Sequence, residues 1–220
     1  MSLLPAIEVE TNSAPEAAVI WLHGLGADGY DFAPIVPELQ LPPDMGIRFI
    51  FPHAPAMAVT VNNGYVMPAW FDILEMAIDR KVDTAQLLVS AAKISQFVER
   101  ERQRGIDSRR IVLAGFSQGG AVAYQVGLSY PEPLGGLLAM STYFATSDSI
   151  ALSAANRALP IEIHHGTHDP VVPMALGHRA DEYLRERGYD VVFRSYPMDH
   201  AVCPEQIGHT AEALRRFFGL

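Results

Sequence analysis

The chain has 220 residues, a formal charge of −9 at neutral pH and 49% hydrophobic residues. That size suits one α/β domain, 1–220, with a core of its own, and the acidic balance speaks against a nucleic-acid partner, whose phosphates need a basic face. Cys203 is the single cysteine, which excludes a disulfide within the chain, and no uncharged apolar run is long enough for membrane insertion.

The opening MSLLPAIEVE has neither the basic start nor the sustained apolar stretch of a signal peptide. A cytoplasmic location is therefore expected. AAVIWLHG (17–24) is an apolar run closed by glycine and predicts a buried strand; GIRFIFP (46–52) predicts a second. Residues 83–104 carry Leu87, Leu88, Ala91, Ile94 and Val98 at helical spacing. RIVLAG (110–115) predicts a third strand, and residues 118–129 a helix of small residues ending near Pro131. LGGLLAMS (134–141) and LPIEIHHG (159–166) predict strands four and five. A helix over 174–187 is closed by Gly188, DVVFRSYP (190–197) predicts a sixth strand, and 204–218 an amphipathic helix with Pro204 in its first turn. Strands alternating with helices predict a mostly parallel central sheet covered by helices on both faces. The segments 54–74 and 142–159 stand outside this alternation. Loops of that length in a compact domain tend to be functional.

LAGFSQGGAV (113–122) places Ser117 between Gly115 and Gly119, after an apolar run and before a helix. That is the context of the G-x-S-x-G nucleophile elbow: a tight turn crowds the positions two residues either side, so both are glycine. The alternative is a helix N-cap serine flanked by turn glycines. A serine nucleophile needs a base. In an elbow of this kind the acid and then the histidine follow later strands in chain order. Asp169 follows the fifth predicted strand and His200 the sixth. His200 is thus expected as the general base and Asp169 as the acid that orients it. Asp199, beside His200, ranks second as the acid because it follows the wrong strand. A metal site through His164, His168 and Asp169 is the rival reading of HHGTHD; no metal is expected. Cys203 lies near His200 but on no elbow, and reads as a packed thiol.

The oxyanion hole is expected from the N–H of Gln118, next after the nucleophile, and of Leu25 in the Gly-rich loop HGLGADG (23–29). That loop lacks both the Lys-Ser/Thr of a P-loop and the full dinucleotide fingerprint, so no nucleotide is expected. Within 54–74, Met57, Val59, Val61 and Trp70 are too apolar to be left in solvent. With Tyr143 opposite, they are the expected wall of a substrate pocket.

WLHGLGADGYDF, WFDI, LAGFSQGGAVA, HGTHDPVVP and YPMDHAVCPEQI, in this order, resemble the phospholipase/carboxylesterase family, which includes the acyl-protein thioesterases. The resemblance runs from about Val19 to the last helix. It implies an α/β-hydrolase fold and cofactor-free hydrolysis of carboxylic esters, with Ser117, Asp169 and His200 as the catalytic residues and Leu25 and Gln118 as the oxyanion amides. STYFATS (141–147) departs from the Trp-containing form of animal thioesterases and is nearer to bacterial carboxylesterases. The expected activity is therefore hydrolysis of short- to medium-chain carboxylic esters, with a lysophospholipase or acyl-protein thioesterase as the alternative. A non-catalytic acyl-binding protein is the alternative from a different class. The resemblance also allows a homodimer.

Overall fold

The structure, a computed structural model, describes residues 3–42, 44–77 and 80–219. Its strands are β1 (Ala6–Glu10), β2 (Ala17–Leu22), β3 (Ile47–Pro52), β4 (Ala56–Val59), β5 (Tyr65–Pro68), β6 (Ile73–Glu75), β7 (Lys81–Val82), β8 (Ile111–Phe116), β9 (Gly136–Met140), β10 (Ile161–Gly166) and β11 (Val191–Tyr196). The helices are α1 (Ile35–Glu38), α2 (Thr84–Gln103), α3 (Gln118–Ser129), α4 (Met174–Glu186) and α5 (Pro204–Phe218).

Seven strands form the central sheet in the order β1-β3-β2-β8-β9-β10-β11. Every neighbouring pair is parallel except β1 with β3. A parallel sheet covered on both faces buries both sets of alternating side chains, so its strands read as unbroken apolar runs. In β2, Ala18, Ile20 and Leu22 join the core shared with α2, α3 and α4. Ala17, Val19 and Trp21 point the other way, into the core shared with α1 and α5. This is the α/β-hydrolase architecture that the sequence predicts, and the six predicted strands are β2, β3 and β8 to β11.

The helices start and stop where their chemistry requires. Asp83 caps α2, its carboxylate accepting the Gln86 N–H at 2.9 Å. Leu87, Ala91, Ile94, Phe97 and Val98 form the buried stripe of α2, whereas Leu88 is exposed and lies off it. α5 begins at Pro204 and ends at Gly219, whose φ of 72° is the left-handed cap conformation.

The two long segments are structured. Residues 54–74 contain the β4–β5 hairpin and the start of a second two-stranded sheet, β6–β7. In the segment after β9, the buried Asn156 accepts the Leu134 N–H at 2.8 Å and donates to the carbonyls of Tyr130 (2.8 Å) and Glu132 (2.9 Å). One side chain thereby ties this segment to the turn before β9. Asn156→Ala leaves those groups unpaired and is expected to cost about 2–4 kcal/mol. The melting temperature should fall by roughly 2–4 °C per kcal/mol, read by thermal denaturation; an unchanged midpoint contradicts the role.

Candidate active site

Ser117 follows β8 directly and caps α3 with φ 53° and ψ −121°, a conformation that costs an L-residue energy. Its surroundings hold it there. Its N–H donates to the Met140 carbonyl at 2.9 Å, and its own carbonyl accepts from the Thr142 hydroxyl at 2.5 Å and the Gly120 N–H at 3.0 Å. Both flanking glycines are sterically required. A Cβ on Gly115 would lie 2.5 Å from the Gly119 oxygen, and one on Gly119 would lie 2.5 Å from the carbonyl oxygens of Leu22 and His23.

The loops after β10 and β11 bring two further side chains to this serine. His200 Nε2 lies 2.9 Å from Ser117 Oγ, and His200 Nδ1 lies 2.7 Å from Asp169 Oδ2. Asp169 Oδ1 accepts the N–H groups of Val171 at 2.9 Å and Val172 at 2.8 Å. Burial works to raise the Asp169 pKa, but the hydrogen bonds from His200 and these two amides outweigh it and hold the carboxyl below the usual range. An ionised Asp169 can only accept. The proton of His200 therefore sits on Nδ1, which leaves Nε2 free to accept from the Ser117 hydroxyl. The His200 ring packs against Phe116, centroids 4.7 Å apart. Asp199 is exposed, and His200 turns its Nδ1 to Asp169 instead.

The residues of the rival metal reading are dispersed. His164 faces Glu162 at 2.9 Å, His165 faces the Val172 carbonyl at 2.8 Å, and His168 is exposed. Cys203 is half-buried at the start of α5.

Leu25 and Gln118 line one cavity of about 370 Å³ together with Ser117 and His200. The loop carrying Leu25 is held from several sides. The His23 N–H at Nδ1 donates to the Gly24 carbonyl (2.7 Å), and Nε2 accepts the Ala54 N–H (3.1 Å), which fixes a neutral tautomer. Burial holds the His23 pKa below its ordinary value, against the opposing pull of the Gly24 carbonyl and Asp28. The Trp70 indole N–H donates to the His23 carbonyl at 2.9 Å, and the Gly26 N–H donates to the Pro68 carbonyl at 2.8 Å. The Gln118 side chain closes the arrangement: its oxygen accepts the Trp70 N–H (2.8 Å) and its amide donates to the Phe71 carbonyl (2.6 Å).

Of the expected pocket wall, Val61 and Tyr143 line this cavity. Met57, Val59 and Trp70 do not. Met57 is paired opposite Met67 in the β4–β5 hairpin, while Val59 and Trp70 are wholly buried, Trp70 as the support of the His23 loop. Val61 reaches the cavity because the chain turns back through a short 3₁₀ segment, Thr60–Asn62. Ile73, Met76, Arg80, Phe116 and Val171 also line the cavity and carried no signal in the sequence beyond Phe116 adjoining the serine.

The phospholipase/carboxylesterase family model matches residues 5–217. The chain belongs to the phospholipase/carboxylesterase family. It is 37% identical to an acyl-protein thioesterase 1 from Gibberella zeae over 91% of this chain and 90% of that protein. Among solved structures it resembles Arabidopsis thaliana SOBER1 (TM-score 0.85, 27% identity, 92% of this chain and 99% of that one). It is equally close to Zea mays acyl-protein thioesterase 2 (TM-score 0.85, 25% identity, 98% and 100%). Among the described residues no helix is long and apolar enough to cross a membrane.

Two outcomes follow for this member of the family. Gln118→Ala keeps the backbone N–H but orphans the buried groups of Trp70 and Phe71, and is expected to cost about 2–4 kcal/mol in urea denaturation. Stability equal to wild type would remove the clamp from this account. The second concerns pH. Burial depresses the pKa of both His23 and His165 in the folded state. The unfolded chain takes up those protons as pH falls through about 6.5, so the folded state loses relative stability there. The urea midpoint should be lower at pH 5.5 than at pH 8; a flat or rising midpoint contradicts buried neutral histidines.

Proposed function

We propose that this protein is a serine acyl hydrolase, cleaving acyl thioesters and carboxylic esters through an acyl-enzyme on Ser117. One observation carries the reading: the continuous chain from Ser117 Oγ to His200 (2.9 Å) to Asp169 (2.7 Å) beside an open cavity. In this reading His200 takes the hydroxyl proton as Ser117 attacks the acyl carbonyl carbon. The carbonyl oxygen becomes an oxyanion, which the N–H groups of Leu25 and Gln118 receive at the N-terminal end of α3. His200 then returns the proton to the departing thiol or alcohol. Water, activated by the same imidazole, releases the acid and restores Ser117. Asp169 holds the productive tautomer and stabilises the imidazolium. The chemistry needs no cofactor.

Oxygen esters and thioesters pass through the same acyl-enzyme, so the triad alone does not choose between them. The thioesterase names of the relatives favour thioester cleavage over the carboxylesterase reading that the sequence puts first. The decisive experiment compares kcat/KM for an S-acyl peptide with that for a p-nitrophenyl ester of the same acyl group. Turnover of either excludes a purely acyl-binding protein, and a lysophospholipid supplies the third arm. Ser117→Ala should abolish both turnover and fluorophosphonate labelling. His200→Ala should lower kcat by about 10⁴–10⁶, and Asp169→Asn by about 10³–10⁴, because it favours the wrong tautomer. Hydrolysis retained in Ser117→Ala, or Asp199→Asn proving the more damaging of the two acid variants, would overturn these roles.

A further inference from the structure

The cavity holding Ser117 is not alone at this end of the sheet. A second cavity of about 320 Å³ lies against α4, walled by Phe144, Leu176, Ala180 and Tyr183 and also by the charged Asp148 and Arg179. Two side chains, Arg80 and Tyr143, line both cavities. The Arg80 guanidinium stands over the Tyr143 ring, 4.7 Å from its centroid. Its Nη2 donates at 2.7 Å to the carbonyl of Val171, two residues beyond Asp169. Three separate parts of the chain therefore meet here: the segment before β7, the loop after β9 and the loop after β10.

We propose that Arg80 and Tyr143 form the end wall of the acyl pocket and set its upper limit of chain length by closing off the second cavity. The inference rests on the acyl-hydrolase reading above. Tyr143 blocks by bulk: it is 5% exposed and its ring lines both cavities. Arg80 blocks by charge. An alkyl chain long enough to press on the guanidinium strips water from a cation and offers it no partner, which is unfavourable. The catalytic side of the wall offers apolar surface at Leu25, Val61, Ile73 and Met76, with Asp31 and Asn62 also on its lining, so a chain that stops short of Arg80 has compatible surface to lie on. Arg80 and Tyr143 also interact through the Tyr143 hydroxyl, so the two side chains hold one another in place. Removing either side chain joins the two volumes; Arg80→Ala also frees the Val171 carbonyl, which is why labelling of Ser117 is followed in parallel. A longer acyl chain then buries further methylenes against Phe144, Leu176 and Tyr183, each worth about fourfold in kcat/KM.

The test is the ratio of kcat/KM for dodecanoyl against butanoyl p-nitrophenyl esters in wild type, Arg80→Ala and Tyr143→Ala. Fluorophosphonate labelling reports that Ser117 remains assembled in each protein. The ratio should rise by about tenfold or more in each variant, the equivalent of two newly buried methylenes. Tyr143 is buried and its replacement strains the fold; Arg80 is half-exposed, so Arg80→Ala carries the test if Tyr143→Ala does not fold. Labelled, folded Arg80→Ala with the wild-type ratio overturns the wall and leaves the hydrolase reading standing. Wild-type protein that neither labels nor turns over any ester or thioester overturns the hydrolase reading on which the wall depends.

Discussion

The first turn of α3 passes so close to the ends of β2 and β8 that no side-chain carbon fits between them. Gly119 rests on the carbonyls of Leu22 and His23, and Gly115 rests on Gly119. That approach forces the chain at Ser117 into positive φ, and the bonds to Met140, Thr142 and Gly120 hold it there. Strain of this kind persists only where the surroundings over-determine it. The surroundings here are the middle of the sheet, since Gln118 through Leu128 are all buried. A helix so enclosed can be built from Gly, Ala and Val, because its position is set by packing rather than by the propensity of its own residues. The hydroxyl of Ser117 is aimed by the core.

From that fixed point the other groups follow by topology. β10 and β11 run parallel to β8, so their carboxyl ends lie at the same edge of the sheet. Side chains far apart in sequence converge there without any loop having to cross the molecule. The loop from β10 and the loop from β11 are further joined by backbone bonds from Thr167 to Tyr196 and from His168 to Met198. Asp169 and His200 are thereby held at a set distance from each other as well as from Ser117.

The same topology explains which parts were legible in the sequence. Strands buried on both faces must be apolar throughout, and α5 carries its own punctuation in Pro204 and Gly219, so these elements could be read directly. β1 was missed because it is an edge strand of five residues, AIEVE, with only partial burial and no apolar run. Ser117, Asp169 and His200 were legible because each stands just after a readable strand. The cavity wall was not. Its residues come from hairpins and turns, where no period says which way a side chain points, so Val61 and Val59 look alike in sequence and part company in space. Arg80 lies in the stretch IDRKVD, which reads as an ordinary charged surface. The clamp of Trp70 and Gln118 on the His23 loop was also hidden. The glycines that give this loop its freedom to turn also leave it loose, and the remedy lies in a hydrogen bond from Trp70, 47 positions away in the sequence.

β10 carries a second histidine–carboxylate pair, and the contrast shows what separates a site from a structural contact. Glu162 and His164 meet at 2.9 Å on the α5 face of the sheet. Their distance resembles that of Asp169 and His200, but their neighbours differ. Glu162 is also held by Arg194 at 2.7 Å and by Arg216 at 2.9 Å, so its charge is already balanced by two cations. His164 is wholly buried, its Nδ1 has no partner among the described residues, and burial holds its pKa below the ordinary value. Asp169, by contrast, takes its hydrogen bonds from two backbone amides and from His200, with no fixed cation beside it among the described residues. In the proposed mechanism, the cationic partner its charge lacks is the imidazolium that forms when His200 takes a proton. His200 turns its other nitrogen to a hydroxyl at the wall of a cavity. A carboxylate left without a permanent counter-charge, next to an imidazole with access to a nucleophile, is the arrangement that gains most when that proton moves.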